Sequence, residues 1–207
     1  MVIEFFGPSG AGKTTVAREL ASRLKKEYIF VTGRREKLRY LLGYFFRSLR
    51  SFWRLGRLTW RESGRNNLLR RHKLSLWLER LAVAEKARRR GIGTTVILDE
   101  GLAQYALSLY ETVQPPTVLS DYVRSFLPAS RFIFITAPDQ IRENRMRERQ
   151  RVPRARLGTS HQKWRAVVTQ NAASLAEALQ RSGQDPWLFD SGQFAATEIA
   201  QMIVAKI

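Results

Sequence analysis

The chain opens on Val2-Ile3-Glu4-Phe5-Phe6-Gly7-Pro8-Ser9-Gly10-Ala11-Gly12-Lys13-Thr14-Thr15, and this stretch decides the fold. Val2–Phe6 is a short apolar run that stops at a Gly-Pro-Ser-Gly cluster, the pattern of a buried strand. From Lys13 to about Lys26, Val16, Leu20 and Leu24 recur at helical spacing with Ala17 and Ala21 beside them, the pattern of an amphipathic helix. Between the two, Gly7–Thr14 fits G-x-x-x-x-G-K-[ST] at every position. Glycines there let backbone N–H groups turn inward as an anion nest. The helix that follows aims its positive dipole end at the same point. Lys13 adds a charge for phosphate oxygens and Thr14 a hydroxyl for a divalent cation. Gly7, Ser9, Gly10, Ala11, Gly12, Lys13, Thr14 and Thr15 are therefore the candidate triphosphate-binding residues. A chance glycine turn would lack the strand before and the helix after.

Working outward, further strands are predicted at Tyr28–Thr32, Thr94–Leu98, Arg131–Thr136 and Trp187–Phe189, each apolar or β-branched. Helices are predicted over 35–62, Leu68–Arg90, 103–112, Asp139–Arg151, 161–182 and Ala195–Lys206, with Gly43 and Gly56 as weak points and Pro115-Pro116 as a loop. Strands alternating with helices predict parallel crossovers. The expected class is α/β: a three-layer P-loop NTPase fold, a parallel sheet flanked by helices, with an Arg-rich lid and a basic helical insert. With 207 residues and 44% hydrophobic residues, one domain over 1–207 with a sizeable core is expected. Within it, 34–90 reads as a helical, basic, acceptor-side region and 142–160 as lid-like.

Composition narrows the classes further. No cysteine is present, so disulfides, thiolate metal sites and cysteine nucleophiles are excluded. His72 and His161 lack ligand spacing and read as surface or loop residues. No apolar run approaches the roughly 18 residues of a membrane span, and no secretory pattern precedes the glycine loop, so a cytoplasmic protein is expected. The formal net charge is +18, a surface that attracts polyanions. It is concentrated: 34–73 holds 13 Lys and Arg against Glu36 and Glu62, and 142–156 holds seven Arg against two Glu. On a helical wheel over 35–62, Leu38, Leu41, Leu42, Phe45, Leu49 and Phe52 share one face, and Arg47, Arg50, Arg54, Arg57 and Arg61 the opposite one. Trp53 and Trp60 flank the apolar side. Such a helix can pack on its own domain, clamp an anionic acceptor, lie on anionic lipid at the inner face of a membrane, or groove nucleic acid. Trp77, spaced with leucines, reads as core; Trp164 and Trp187 have no assignable role.

Val96-Ile97-Leu98-Asp99-Glu100 is an apolar strand ending in acids, where Asp99 would hold Mg²⁺ beside the phosphate loop, together with Thr14. Glu100 would orient a water or accept a proton from an acceptor hydroxyl. The run RFIFITAPDQIRENRMRERQR (131–151) resembles the fourth-strand and lid-entry segment of nucleoside monophosphate kinases, thymidylate kinases especially. Residues Leu188-Phe189-Asp190-Ser191-Gly192 resemble that family's last strand and adenine-side loop. The resemblance implies the P-loop kinase fold, ATP and Mg²⁺ as cofactors, and Arg145 and Arg149 as lid-helix arginines that stabilise the transferring phosphoryl, with Arg151, Arg154 and Arg156 in the lid itself. Thymidylate kinases usually carry Asp-Arg-Tyr where this chain has Asp99-Glu100-Gly101, and Arg-Glu-Pro near Thr32-Gly33-Arg34-Arg35-Glu36. Thymidine monophosphate is not carried over.

The leading expectation is an ATP- and Mg²⁺-dependent kinase acting on a small anionic acceptor, with Lys13, Asp99, Glu100, Arg145 and Arg149 as catalytic candidates and Glu36 as a further acid for acceptor activation. The alternatives are a P-loop ATPase or switch, a polynucleotide kinase working through the basic surface, and an inert nucleotide-binding adaptor. Expected partners are a nucleoside triphosphate and the acceptor; an anionic membrane, nucleic acid or a second copy of the chain are the candidate partners of 34–73.

Overall fold

A computed structural model describes residues 1–29, 33–127, 131–148 and 161–207. Among the described residues, five strands form one parallel sheet: β1 (Val2–Phe6), β2 (Glu27–Tyr28), β3 (Val96–Leu98), β4 (Arg131–Thr136) and β5 (Trp187–Asp190), in the order β2-β3-β1-β4-β5. The helices are α1 (Lys13–Leu24), α2 (Arg34–Arg47), α3 (Leu49–Glu62), α4 (Asn67–Arg90), α5 (Leu102–Leu109), α6 (Pro116–Phe126), α7 (Asp139–Glu148), α8 (His161–Arg181) and α9 (Ala196–Val204).

Alternation along β1 sorts its side chains between two helical layers. Ile3 and Phe5 meet Val16, Leu20, Ile199 and Ile203 of α1 and α9. Phe6 faces the other layer, built from α3 to α6 and α8 around Trp77, Tyr105, Tyr122 and Leu175. The registers Glu4↔Leu98 and Phe6↔Phe134 align the carboxyl ends of β1, β3 and β4. Strand order reverses at β1, so the crevice beyond its end is the switch point where ligands of open parallel sheets collect.

The three-layer α/β architecture is as predicted; several boundaries are not. The helix expected over 35–62 is two helices, and the break falls at Ser48 (φ −140°, ψ 52°) rather than at either glycine. Gly56 is needed within α3 for close approach, since a Cβ there would sit 2.9 Å from the Trp77 ring. Because the helix breaks, the predicted apolar face does not point inward as one stripe: Tyr40 and Tyr44 are the buried residues of α2, whereas Leu38, Leu42 and Leu49 are exposed. Pro116 does not belong to a loop; it sits at the start of α6, where a proline's missing N–H costs nothing. β2 begins one residue earlier than predicted, and 30–32 lie outside the described residues. His72 lies within α4 and is half-buried rather than in a loop.

Ion pairs join the basic helices to the body. Glu85 is fully buried on α4; burial pushes its carboxyl up, but hydrogen bonds from Arg88, Arg89 and Arg47 outweigh that and hold its pKa at about 2. Lys73 is also fully buried, donating to the Glu62 and Leu109 carbonyls at 2.7 and 2.6 Å and pairing with Glu111 at 2.8 Å. Arg47 and Lys73, counted with the basic surface on sequence, are thus structural ties. Trp77 and Trp164 are core residues. Among the described residues no helix is long and apolar enough to cross a membrane.

Candidate functional site

The glycine loop fills the switch point. Gly7, Gly10 and Gly12 all have positive φ. At Gly10 (φ +82°) a Cβ would stand 2.7 Å from the Arg142 carbonyl, so the loop can press against α7 only with glycine there. Gly12 is the N-cap of α1 with no side-chain cap, which leaves the first amides of the helix directed at the loop. The Gly7 N–H donates to Gln104 Oε1 at 3.1 Å, anchoring the start of the loop to α5. Ala11 is buried, Ser9 half-buried, and Thr15 exposed at the edge of the loop.

Lys13 is buried, and its Nζ donates to the Gly7 and Pro8 carbonyls at 2.9 and 3.0 Å. Burial lowers its pKa to about 8, against the opposing pull of the Glu100 and Asp99 charges. A multiply charged anion in the loop would supply the counter-charge this ammonium lacks.

Thr14 and Asp99 come together from opposite sides: the Thr14 hydroxyl donates to Asp99 Oδ2 at 2.6 Å. One lies in the first turn of α1 and the other just past β3. The pair is an all-oxygen donor set, the hard-ligand chemistry that suits Mg²⁺. Among the described residues no cluster of three or more His, Asp or Glu forms, so a metal held here would complete its shell with phosphate oxygens and water. Tyr28 of β2 sits beside the pair, its hydroxyl pushed up by burial and by the Asp99 charge.

Glu100 is ion-paired to Arg80 of α4, which also donates to the Glu100 carbonyl at 3.1 Å. Glu36 pairs with Lys86 at 2.7 Å on the α2–α4 seam. Arg145 of α7 is tied down: it donates to the Ser191 hydroxyl at 2.8 Å, the Ser191 carbonyl at 3.0 Å and the Gly10 carbonyl at 3.4 Å. The Ser191 hydroxyl in turn donates to the Ala11 carbonyl at 2.8 Å. This places Arg145 in the wall of a cavity of about 390 Å³ with Gly12, Thr15, Ser191 and Phe194, on the flank of the loop. Arg149, Arg151, Arg154 and Arg156 lie outside the described residues.

Two residues of the site escaped sequence reasoning. Arg80 gave no signal beyond helical spacing. Glu4 could have been noticed as an acid within an apolar strand. It is 2% exposed and accepts from the Ala103 N–H at 2.6 Å, capping the start of α5. Burial raises its pKa to about 7 although the backbone donors pull it down. Its folded pKa exceeds its unfolded value, so its contribution to stability is complete below pH 4.5 and is lost as the pH rises through about 7. The loss amounts to about 3 kcal/mol. Glu4→Gln should remove this slope, so that the gap in urea-unfolding free energy between variant and parent shifts by that amount in the variant's favour from pH 4.5 to 8. A gap independent of pH would show that Glu4 titrates normally.

No family model matches the chain, and no curated protein matches it by sequence. Solved structures do match over essentially its full length. Deoxyadenosine kinase from M. mycoides with bound dATP aligns with 100% of this chain and 98% of its own, at TM-score 0.61 and 14% identity. The same enzyme with products dCMP and dCDP gives 0.59 at 15% identity and the same coverage. Shikimate kinase from Acinetobacter baumannii in complex with shikimate aligns with 99% of this chain and 91% of its own, at TM-score 0.53 and 18% identity. The chain has the P-loop kinase fold.

Proposed function

We propose that the protein is an ATP- and Mg²⁺-dependent phosphotransferase that moves the γ-phosphoryl of ATP to a hydroxyl or phosphate of a small, anionic acceptor. The observation that carries the reading is the 2.6 Å Thr14–Asp99 contact at the mouth of a glycine loop that also holds Lys13. Loop amides and the α1 N-terminus would cradle the phosphates, and Lys13 would exchange its carbonyl partners for β- and γ-oxygens. Thr14 and Asp99 would hold Mg²⁺, which when bound neutralises charge on the triphosphate. The cavity beside Ser191 would take the base, with Arg145 along its wall. Asp99 or Glu100 would receive the acceptor proton, the Arg80 ion pair fixing Glu100 in place; Glu36, committed to Lys86, is a weaker candidate. On this reading 1–207 is one catalytic domain, 34–90 its acceptor side and 142–160 its lid.

Kinases named for deoxyadenosine and for shikimate share the fold, so the fold alone selects no acceptor. The test is ADP release with Mg·ATP across nucleosides, nucleotides, sugar phosphates and lipid-linked phosphates. One acceptor should raise turnover well above the ATP-only rate. Equal turnover without any acceptor would indicate an ATPase, and stimulation confined to oligonucleotide ends a polynucleotide kinase. Arg145→Ala should raise the KM for ATP about tenfold or more with a smaller change in kcat, because a positioning contact is lost. An unchanged KM would remove Arg145 from the nucleotide site.

A further inference from the structure

We propose that the solvent face of α3, together with the outer side of α2, docks on an anionic lipid bilayer. The inward face of α3 is satisfied: Leu55 and Thr59 are buried, and Gly56 lies against Trp77. The outward face interleaves Trp53 and Trp60 with Arg50, Arg54, Arg57 and Arg61, at spacings of three and four that keep them together on the helix. Trp53 is 63% exposed, Trp60 55%, and Phe46 on the outer side of α2 79%. Leu38, Leu42 and Leu49 of the same two helices are exposed as well. Of 15 exposed large hydrophobic residues among the described residues, seven fall between Leu38 and Leu68, about three times what even scattering would place there.

A cleft of about 690 Å³ between α3 and α4 is lined by Leu74 and Trp77 together with Trp53, Trp60, Arg50, Arg54 and Arg57. Arg50 and Arg57 make no ion pair among the described residues; Arg54 donates to the Ser125 hydroxyl at 3.2 Å and lies over the Phe126 ring at 5.9 Å, and Arg61 pairs with Glu62 at the exposed surface. Apolar and aromatic groups beside exposed guanidiniums match the layering of a bilayer surface, where acyl and glycerol regions lie beneath phosphates. The charge argues against a second copy as occupant, since a symmetric interface would oppose two surfaces each drawn from a segment with 13 basic and two acidic residues. Nucleic acid would employ the tryptophans and arginines but leave Leu38, Leu42, Phe46 and Leu49 in water. A bilayer covers all of them.

The inference stands apart from the phosphotransferase reading. Flotation of the full chain with phosphatidylcholine vesicles, with and without 30% phosphatidylglycerol, tests it directly. Binding should require the anionic lipid and fall steeply between 0.1 and 0.5 M salt. Trp53→Ala/Trp60→Ala should keep the parent melting temperature and lower the partition coefficient at least tenfold. Arg50→Glu/Arg57→Glu should do the same, each arginine near an anionic surface being worth roughly fivefold in binding. Brominated lipid should quench the parent's fluorescence and lose that effect in Trp53→Phe/Trp60→Phe. No flotation on anionic vesicles would overturn the proposal, as would flotation indifferent to both double variants. Tighter binding to a single-stranded oligonucleotide that strips the protein from vesicles would overturn it in favour of nucleic acid, and a dimer that buries the two tryptophans in favour of self-association.

Discussion

Lys13→Ala should reduce ATP turnover by on the order of 10³-fold or more, the loss expected when a preorganised charge facing developing phosphate charge is removed. Folding should survive, because Lys13 bonds to the Gly7 and Pro8 carbonyls of its own loop. Stability should change in a pH-dependent way that identifies the residue. Its folded pKa is lowered from 10.5 to about 8, so the unfolded chain holds the proton more tightly between these values. The parent protein therefore gains stability as the pH rises from about 8 to 10.5, and the variant should lack that rise. A triphosphate in the loop reverses the shift, so binding near pH 8.5 should take up a proton. Calorimetry in buffers of different ionisation enthalpy reads that uptake directly. A fully active Lys13→Ala protein, or binding of ATP without proton uptake, would remove Lys13 from the site.

Asp99→Asn should lower kcat by about two to three orders of magnitude and raise the Mg²⁺ concentration needed for half-maximal activity. The amide oxygen can still accept from the Thr14 hydroxyl, so the contact between α1 and the end of β3 should persist and the melting temperature should shift little. What disappears is the negative charge that would ligate the metal. Thr14→Ala supplies the complementary test: it removes the hydroxyl and keeps the carboxylate, and its metal response should weaken less. An Asp99→Asn enzyme with the parent Mg²⁺ profile would place the metal elsewhere.

The parts of the site that lie in one continuous stretch are legible in the sequence. Gly7–Thr15 carries its own explanation, because glycine φ, a helix N-terminus and a lysine at fixed spacing act within eight or nine residues. The apolar strand ending at Asp99 was equally legible, and its alignment with β1 follows from parallel pairing. Groups whose partners are distant in sequence were not legible. Arg145 is separated from Gly10 by 135 residues, and only the folded chain brings it against Ser191 and the loop. Glu4 meets Ala103 across 99 residues, and its backbone donors at the start of α5 explain a carboxyl in the middle of a core strand. The wheel over 35–62 assumed one straight helix; Ser48 ends α2, and the redirected α3 turns Trp53 and Trp60 to solvent while Gly56 abuts Trp77.

Local rules of backbone geometry and side-chain periodicity thus determined that this chain builds a parallel α/β sheet with a phosphate-binding loop at its first strand, since those forces act over a few residues. Tertiary structure decided which of its many charges are ties and which are free. That choice depends on burial and on partners brought together from far along the chain: Lys73, Arg47 and Arg80 are taken up by Glu111, Glu85 and Glu100, while Arg50 and Arg57 are left facing water.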